Sequence, residues 1–132
     1  SLPIPVRRAR ESEPYRLLAA RKVKHAIDSL YTIRRHPQFV VLGISNDYPE
    51  NKSVKEVLEA AAPSTLQDSL RPQKLYHLLA GKAKTRKHFG SYKYQGEWGL
   101  LDHIIVSGTL LQEHAPLYTE EAKADVFCLP SY

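Results

Sequence analysis

The chain has 132 residues, an apolar fraction of 42% and a formal net charge of +5. This length predicts one domain or part of a larger one, and the apolar fraction is sufficient for a hydrophobic core. No run approaches the roughly 18 apolar residues that a membrane-spanning helix needs, which excludes a span of that kind. The single cysteine, Cys128, excludes an intrachain disulfide and a zinc cluster built from cysteines.

The basic residues are concentrated in residues 7–35 and 82–87. A net positive charge is compatible with an acidic partner such as nucleic acid or a phosphate group. The alternative is a basic helix face that is merely solvated, which is the usual role of such charge. Both interpretations stay open from the charge alone.

The first part of the chain predicts an extended lead-in followed by an amphipathic helix. Residues 1–13 contain two prolines and mixed charges, and we expect them to be extended. Glu13 and Pro14 suit a helix start, and Pro37 disfavours helical geometry just before itself. Between them, apolar residues recur close to a period of 3.6 at Tyr15, Leu18, Ala19, Val23, Ala26, Ile27, Leu30 and Ile33.

A continuous apolar run over residues 39–43 predicts a strand buried on both faces, and its place after a helix is typical of half a βαβ unit. Further along, the pattern predicts helices over 53–62 and 73–80 and a basic loop over 82–88. It also predicts a strand over 91–94, a break at Gly96 and a buried strand over 100–107. Residues 112–124 are expected to form a loop, and residues 126–129 a last short strand.

The turn after the first strand reads L-G-I-S-N-D-Y-P over residues 42–49. Polar residues at the carboxyl end of a strand are a common place for chemistry in α/β folds. Asn46 could supply a phosphate-binding amide, and Asp47 a carboxylate. Ile44, one position into the turn, can neither bind a metal nor move a proton.

A second candidate, Asp102, lies inside an apolar strand, where an unpaired charge is costly. We expect it to have a partner, which is either a structural link or part of a site. The adjacent His103 should point to the opposite face of the strand, so the partner should come from elsewhere. The spacing of the six histidines predicts no metal site.

Three segments resemble the endonuclease/exonuclease/phosphatase family, most closely a subgroup common in Bacteroidetes bacteria. V-V-L-G-I-S-N-D-Y-P-E-N-K-S is similar to the family's GDFND-P strand and turn. Y-K-Y-Q-G-E-W-G-L-L-D-H-I-I-V-S-G, residues 92–108, is similar to its later Y-G-W…LD-(I/F)-VS strand. S-E-P-Y-R-L-L-A-A, residues 12–20, looks like the helix after its HWPSR segment. The three segments occur in the family's order and span nearly the whole chain.

The resemblance implies an α/β fold, part of a two-sheet sandwich of the DNase I-like kind with helices on the outer faces. It also implies phosphodiester or phosphomonoester hydrolysis with Mg²⁺. In the family, a metal-bound glutamate and an asparagine come from the first half of the fold. The aspartate and asparagine of GDxN orient the water and the phosphate. A histidine in a final SDH segment contacts the phosphate, and the aspartate of the LD strand orients it.

Carried over position by position, the resemblance is incomplete. Asn46 matches the GDxN asparagine, Asp102 matches the histidine-orienting aspartate, and Asp47 matches the subgroup's turn. Ile44 stands where the family has the aspartate that orients the nucleophile. Leu2 and Pro3 stand where the early phosphate-contact segment has asparagine and histidine. The sequence as given contains neither the SDH segment nor the first half of the family fold.

These departures predict a single truncated, degenerate domain over residues 1–132, equivalent to the C-terminal half of the family fold. The absence of methionine also predicts a processed form or a fragment. We expect no catalysis by the chain alone, no cofactor, and only vestigial roles for Asn46 and Asp102. Half of a two-sheet sandwich leaves one sheet face uncovered, so we expect another protein chain, a copy or a different subunit, to cover it.

Two other functions stay open. The chain could be a fragment of a Mg²⁺-dependent phosphodiesterase or endonuclease, in which Asn46, Asp47 and Asp102 are the remaining site residues. It could instead be a basic nucleic-acid-binding module, whose affinity would fall steeply with salt. The resemblance implies a bacterial origin and leaves a cytoplasmic and an exported location equally open. In the nucleic-acid-binding hypothesis, the residues that would contact phosphate are Arg7, Arg8, Lys82, Lys84, Arg86 and Lys87.

Overall fold

The computed structural model describes residues 4–44, 49, 51–63 and 69–126. They form a mixed α/β structure with two small antiparallel sheets. The elements in chain order are helix α1 Ile4–Ile33, strand β1 Val40–Ile44, a π-helical turn Ser53–Val57, β2 Leu75–His77, α2 Ala80–Thr85, β3 Tyr92–Tyr94, β4 Glu97–Gly99, β5 Asp102–Ser107, and 3-10 turns Gly108–Leu111 and Glu121–Lys123.

The larger sheet has the strand order β1-β5-β2, and both pairings are antiparallel. The expectation of half a βαβ unit is therefore wrong, because that unit joins parallel strands. Strands β3 and β4 form a separate hairpin. Its turn contains Gln95 and Gly96, both with positive φ, as a two-residue hairpin turn requires. The predicted strand over 91–94 and the break at Gly96 are thus confirmed.

Helix α1 begins at Ile4, so residues 4–13 are helical rather than extended as expected. Arginine, alanine and glutamate dominate residues 7–11, and their high helix propensity outweighs the signal of the prolines. Pro14 consequently lies inside the helix, where it cannot donate a backbone hydrogen bond. The helix ends at Ile33, ahead of Pro37, as predicted. Within the described residues, no helix combines the length and the apolar character needed to cross a membrane.

Helix α1 packs on one face of the larger sheet. Ala20 and Ile27, both buried, lie in one cluster with Leu75 of β2 and Ile105 of β5. Residues one helical turn or two apart share a helix face, which explains why this stripe of α1 is the buried one. The rest of the cluster comes from Val54, Leu58 and Ala60, with Tyr31, Phe39 and Val41 packed against it.

The opposite face of the sheet is covered only in part. Tyr76 and Val106, which are ladder partners, are buried beneath Leu110 and Leu111 of the first 3-10 turn. Val40 and Leu42 of β1 are 50% and 69% exposed. We call these two residues the open face of β1. The expectation that this strand is buried on both faces is therefore wrong.

Two predicted helices are replaced by other elements. Residues 75–77 pair with β5 instead of forming a helix, because tertiary pairing outweighs a short apolar pattern. Helix α2 starts at Ala80 and occupies the beginning of the predicted basic loop. The predicted helix over 53–62 shortens to one π-helical turn, after which Glu59 has a positive φ. The predicted strand over 126–129 falls mostly outside the described residues.

Hydrogen bonds join the end of β5 to the segment between α1 and β1. The Phe39 N–H donates to Ser107 Oγ, and the Ser107 N–H donates to the Phe39 carbonyl, both at 3.1 Å. Thr109 Oγ1 lies 2.7 Å from Ser107 Oγ and donates to the Pro37 carbonyl at 2.8 Å. A Cβ atom on Gly108 would lie 1.8 Å from the Arg71 carbonyl oxygen. These hydrogen bonds and the close approach at Gly108 explain the V-S-G sequence of residues 106–108.

Candidate functional site

Asp102 is the first residue of β5 and is half-buried. Ser91 Oγ accepts hydrogen bonds from the backbone N–H groups of Leu101 and Asp102, at 3.2 and 3.1 Å, and so fixes the start of the strand. Within the described residues, the Asp102 carboxylate makes no hydrogen bond or ion pair. The expected partner is therefore not found in this part of the chain, and partial exposure lets water solvate the charge.

Ile44 is the last residue of β1 and is the ladder partner of Asp102. The structure thus brings together the two positions that the family pattern assigns to aspartates, one of which is isoleucine here. Asn46 and Asp47 lie outside the described residues, so their predicted roles stay predictions. The chain continues from Ile44 into residues 45–48, which lie outside the described residues.

Two histidines form a buried pair on the helix-covered face of the sheet. His103 belongs to β5 and His77 to β2, and their ring nitrogens, His77 Nε2 and His103 Nδ1, are 2.6 Å apart. His77 is completely buried and His103 is 6% exposed. His77 opposes Ile105, two residues from His103, so the two rings meet as diagonal neighbours across the ladder. As predicted, His103 does not pair with Asp102.

The hydrogen bonds around this pair determine where the protons lie. The Leu79 N–H donates to His77 Nδ1 at 3.2 Å, so the neutral ring of His77 carries its proton on Nε2. That proton is donated to His103 Nδ1, and neutral His103 therefore carries its proton on Nε2. The pKa of His77 is lowered to about 4, chiefly by burial and also by the neighbouring His103 ring. His77 is therefore neutral at physiological pH.

Sequence reasoning missed this pair. The segment containing His77 was assigned to a helix, and spacing along the chain cannot reveal a contact between two strands. The one available signal was His103 itself, a titratable residue inside an apolar strand, whose burial requires a hydrogen-bond partner.

The predicted phosphate-contact residues lie on different elements and have different surroundings. Lys82 is 8% exposed, and its Nζ donates to the backbone carbonyls of Glu121 (3.0 Å) and Ala124. It therefore fastens the segment after the second 3-10 turn to α2, and its role is structural. Arg7 and Arg8 belong to the first turns of α1 rather than to an extended arm.

Arg86, at the end of α2, is exposed but paired with the Asp125 carboxylate at 3.2 Å. Its guanidinium also lies 5.9 Å from the centre of the Phe89 ring. The Val126 N–H, which donates to the carboxylate of Asp125, lowers the pKa of that carboxyl, and Arg86 lowers it further. Lys84 and Lys87 are exposed and, in the described part of the chain, form no ion pair.

The resemblance implies magnesium, so the described residues should contain a group of side chains able to bind it. Mg²⁺ is bound through oxygen ligands, usually carboxylates together with water and substrate. No group of three or more histidine, cysteine, aspartate or glutamate side chains that could hold a metal exists among these residues. Asp102 faces an isoleucine position across the ladder, which offers no oxygen. The described residues therefore do not form a magnesium site.

Comparison with known proteins agrees with the sequence motifs. The model of the Endonuclease/Exonuclease/phosphatase family matches residues 5–130. Searches of curated proteins and of solved structures gave no match. The family match covers almost the whole chain, including both strands that meet at Ile44 and Asp102. The chain therefore belongs to the endonuclease/exonuclease/phosphatase family.

Proposed function

We propose that this chain is a non-catalytic structural or interaction subunit of its family. It acts by burying the open face of β1 against an apolar sheet surface of another protein chain. The observation that carries the proposal is the exposure of Val40 and Leu42, at 50% and 69%, beside the buried Tyr76–Val106 side of the same sheet. Apolar side chains that continue a core surface mark an interaction site more often than isolated ones do.

The energetic argument follows from the area left in water. Burying a valine or leucine side chain contributes roughly 1.5–3 kcal/mol relative to leaving it exposed. In the described part of the chain, β1 also pairs on one side only, with β5. An uncovered apolar edge strand is prone to associate with another chain. A second sheet laid on this face would complete the two-sheet sandwich that the family fold implies.

Ile44 is the reason why we expect this chain to lack catalysis. Removing a general base or water-positioning group typically lowers a rate by about 10²–10⁴-fold. Isoleucine has no group that could accept a proton or bind water, so it cannot substitute for the aspartate of the family pattern. A partner chain could supply other catalytic residues but cannot supply a carboxylate at position 44.

The test is the mass of the native particle, measured from its source without overexpression, with every chain identified. We expect a stable complex with a second chain, which is either a copy or a different subunit. The variant Leu42→Asp should lose the complex, because it places a charge in the proposed interface. The control Ile33→Asp, at a 77% exposed position at the end of α1, should keep it.

A monomeric particle would contradict the proposal, as would a longer polypeptide in which the same chain covers this face. Equal effects of Leu42→Asp and Ile33→Asp would show that charge alone, rather than this face, controls association.

The second candidate is a fragment of a Mg²⁺-dependent phosphodiesterase. It is favoured by the position of Asp102, a half-buried carboxylate opposite Ile44, which is two positions before Asn46 in the chain. Hydrolysis of bis(p-nitrophenyl) phosphate with Mg²⁺ tests it, with Asp102→Asn as the matched variant. Turnover by the unmodified chain that Asp102→Asn abolishes would replace the non-catalytic proposal.

A further inference from the structure

A cleft of about 530 Å³ lies beside α1, bordered by residues 58–62 and 73–75 and the start of α2. Its floor is apolar and belongs largely to the core. The buried side chains Leu58, Ala60, Leu75 and Ala80 line it. Of the described residues that the family pattern assigns to the active site, none lines this cleft.

The rim of the cleft is strongly basic. Four lysines line it, namely Lys24, Lys55, Lys74 and Lys84. Among the described lining residues, the only acid is Glu59, so their formal net charge is +3. Lys84 is one of the sequence-predicted phosphate residues, whereas the other three lysines were not singled out from the sequence. The fold therefore gathers cations that are spread over 60 positions of the chain, from Lys24 to Lys84.

The acid on the rim neutralises only one of these cations. Glu59 lies 3.8 Å from Lys24, which also has Asp28 at 3.4 Å. Lys55, Lys74 and Lys84 are exposed, and no described carboxylate lies within ion-pair distance of them. Three lysines around one concave surface repel one another, and this repulsion falls when an anion binds between them.

We propose that this cleft binds a phosphate-bearing small molecule with an aromatic or apolar body, of the nucleotide type. Ligand sites are typically clefts of about 300–1,000 Å³ with an apolar lining and a few convergent polar groups. Lysine is a common phosphate ligand, acting as a point charge. The alanine and leucine floor accommodates the body of the ligand, and the lysine rim accommodates its phosphates. This inference goes beyond the proposed function and does not depend on it.

The experiment is isothermal titration calorimetry of the chain with ATP in EDTA, which removes divalent cations and any hydrolysis that needs them. Inorganic tripolyphosphate is the second probe, since it has the charge without the apolar body. The cleft variant is Lys55→Gln/Lys74→Gln/Lys84→Gln. The matched control, Lys22→Gln/Lys93→Gln/Lys123→Gln, makes the same change of charge at exposed positions outside the cleft.

We expect one ATP per chain, with an affinity that falls as salt is raised. The cleft variant should weaken ATP binding by about tenfold or more, and the control variant by less than about twofold. A further variant, Ala61→Trp, places a large ring on an exposed lining position and should weaken ATP more than tripolyphosphate.

Equal weakening in the cleft and control variants would overturn the proposal, because it would show attraction by net charge alone. Absence of ATP binding by the unmodified chain would overturn it as well. Equal affinity for ATP and tripolyphosphate would reject the apolar floor as part of the site. None of these results depends on the oligomeric state or on phosphodiester hydrolysis, so this proposal and the proposed function can fail separately.

Discussion

Ile44 lies directly opposite Asp102 in the antiparallel ladder between β1 and β5. Residues directly opposite in such a ladder have Cβ atoms about 4.5–5.5 Å apart, and like charges there destabilise the pair. An aspartate at position 44 would thus require a cation or a proton to be stable beside Asp102. Isoleucine at position 44 removes that requirement. The chain can therefore keep the fold of the site without a second carboxylate.

The first prediction restores this carboxylate. Ile44→Asp should lower the free energy of unfolding at pH 7 by about 0.5–1 kcal/mol relative to Ile44→Asn, which has a similar size but no charge. The difference should shrink as the pH falls below about 4 and the carboxyls bind protons. Urea denaturation at pH 7 and pH 3.5 measures both effects. A difference between the two variants that does not change with pH would rule out charge repulsion as its cause.

The histidine pair predicts how stability depends on pH. The pKa of His77 is lowered from 6.5 to about 4 in the folded chain, so between these values the unfolded state binds more protons. The contribution of His77 to stability is therefore complete above pH 6.5 and is lost as the pH falls toward 4. The full loss is roughly 3 kcal/mol. Urea denaturation between pH 4 and 7 should show this slope.

The control for this prediction is His77→Gln, which retains an amide donor but cannot titrate. It should remove most of the dependence on pH in this range, even if it lowers stability at pH 7. An NMR titration in which the His77 ring gains its proton near pH 6.5 in the folded chain would contradict the prediction.

The close approach at Gly108 predicts an unusually costly substitution. A Cβ atom there would lie 1.8 Å from the Arg71 carbonyl oxygen, so Gly108→Ala should cost about 3 kcal/mol or more. Gly43→Ala is the control, because no atom outside its chain neighbours lies within 4 Å of the Cβ position at Gly43. That variant should stay within about 1 kcal/mol of the original chain. Similar melting temperatures for the two variants would show that the backbone at Gly108 relaxes freely.

Replacement of the buried Lys82 should open the structure locally. Lys82→Met keeps the length of the side chain but removes its hydrogen bonds to the Glu121 and Ala124 carbonyls, and should cost about 2 kcal/mol. Residues 120–126 should then become the first site of limited proteolysis. Lys84→Met, at an exposed position of the same helix, should leave the cleavage pattern unchanged. Identical digestion of the two variants would mean that other contacts hold this segment.

The parts of the fold that could be predicted are those with strong local signals. Apolar residues in 15–33 recur at the helical period, and Gly96 marks the turn of the β3–β4 hairpin. The sequence therefore predicts both the helix and the hairpin turn. Strand β2 could not be found, because Leu75 to His77 become extended only by pairing with β5. The helix start at Ile4 is not predicted for a different reason, because Pro14 signals a helix start but tolerates an interior position at a cost.

The candidate site was predictable where a family motif identified residues and not where the fold created a contact. Asp102 and the Ile44 substitution follow from the motif alone. The His77–His103 pair and the lysine-lined cleft depend on residues brought together from separate elements. Neither spacing nor composition carries that information, so neither feature is predictable from the sequence.

The bonds between Phe39 and Ser107 join residues that are 68 positions apart, and β5 is the central strand of its sheet. Among the described residues, β1 has no strand partner until residues 102–107 have been synthesised. Closing loops of this length before any contact is gained slows folding. During translation, the apolar strand β1 is therefore without its partner strand while nearly half of the chain is synthesised. Folding of this chain should depend on protection of that strand during synthesis, and premature termination before residue 102 should leave it aggregation-prone.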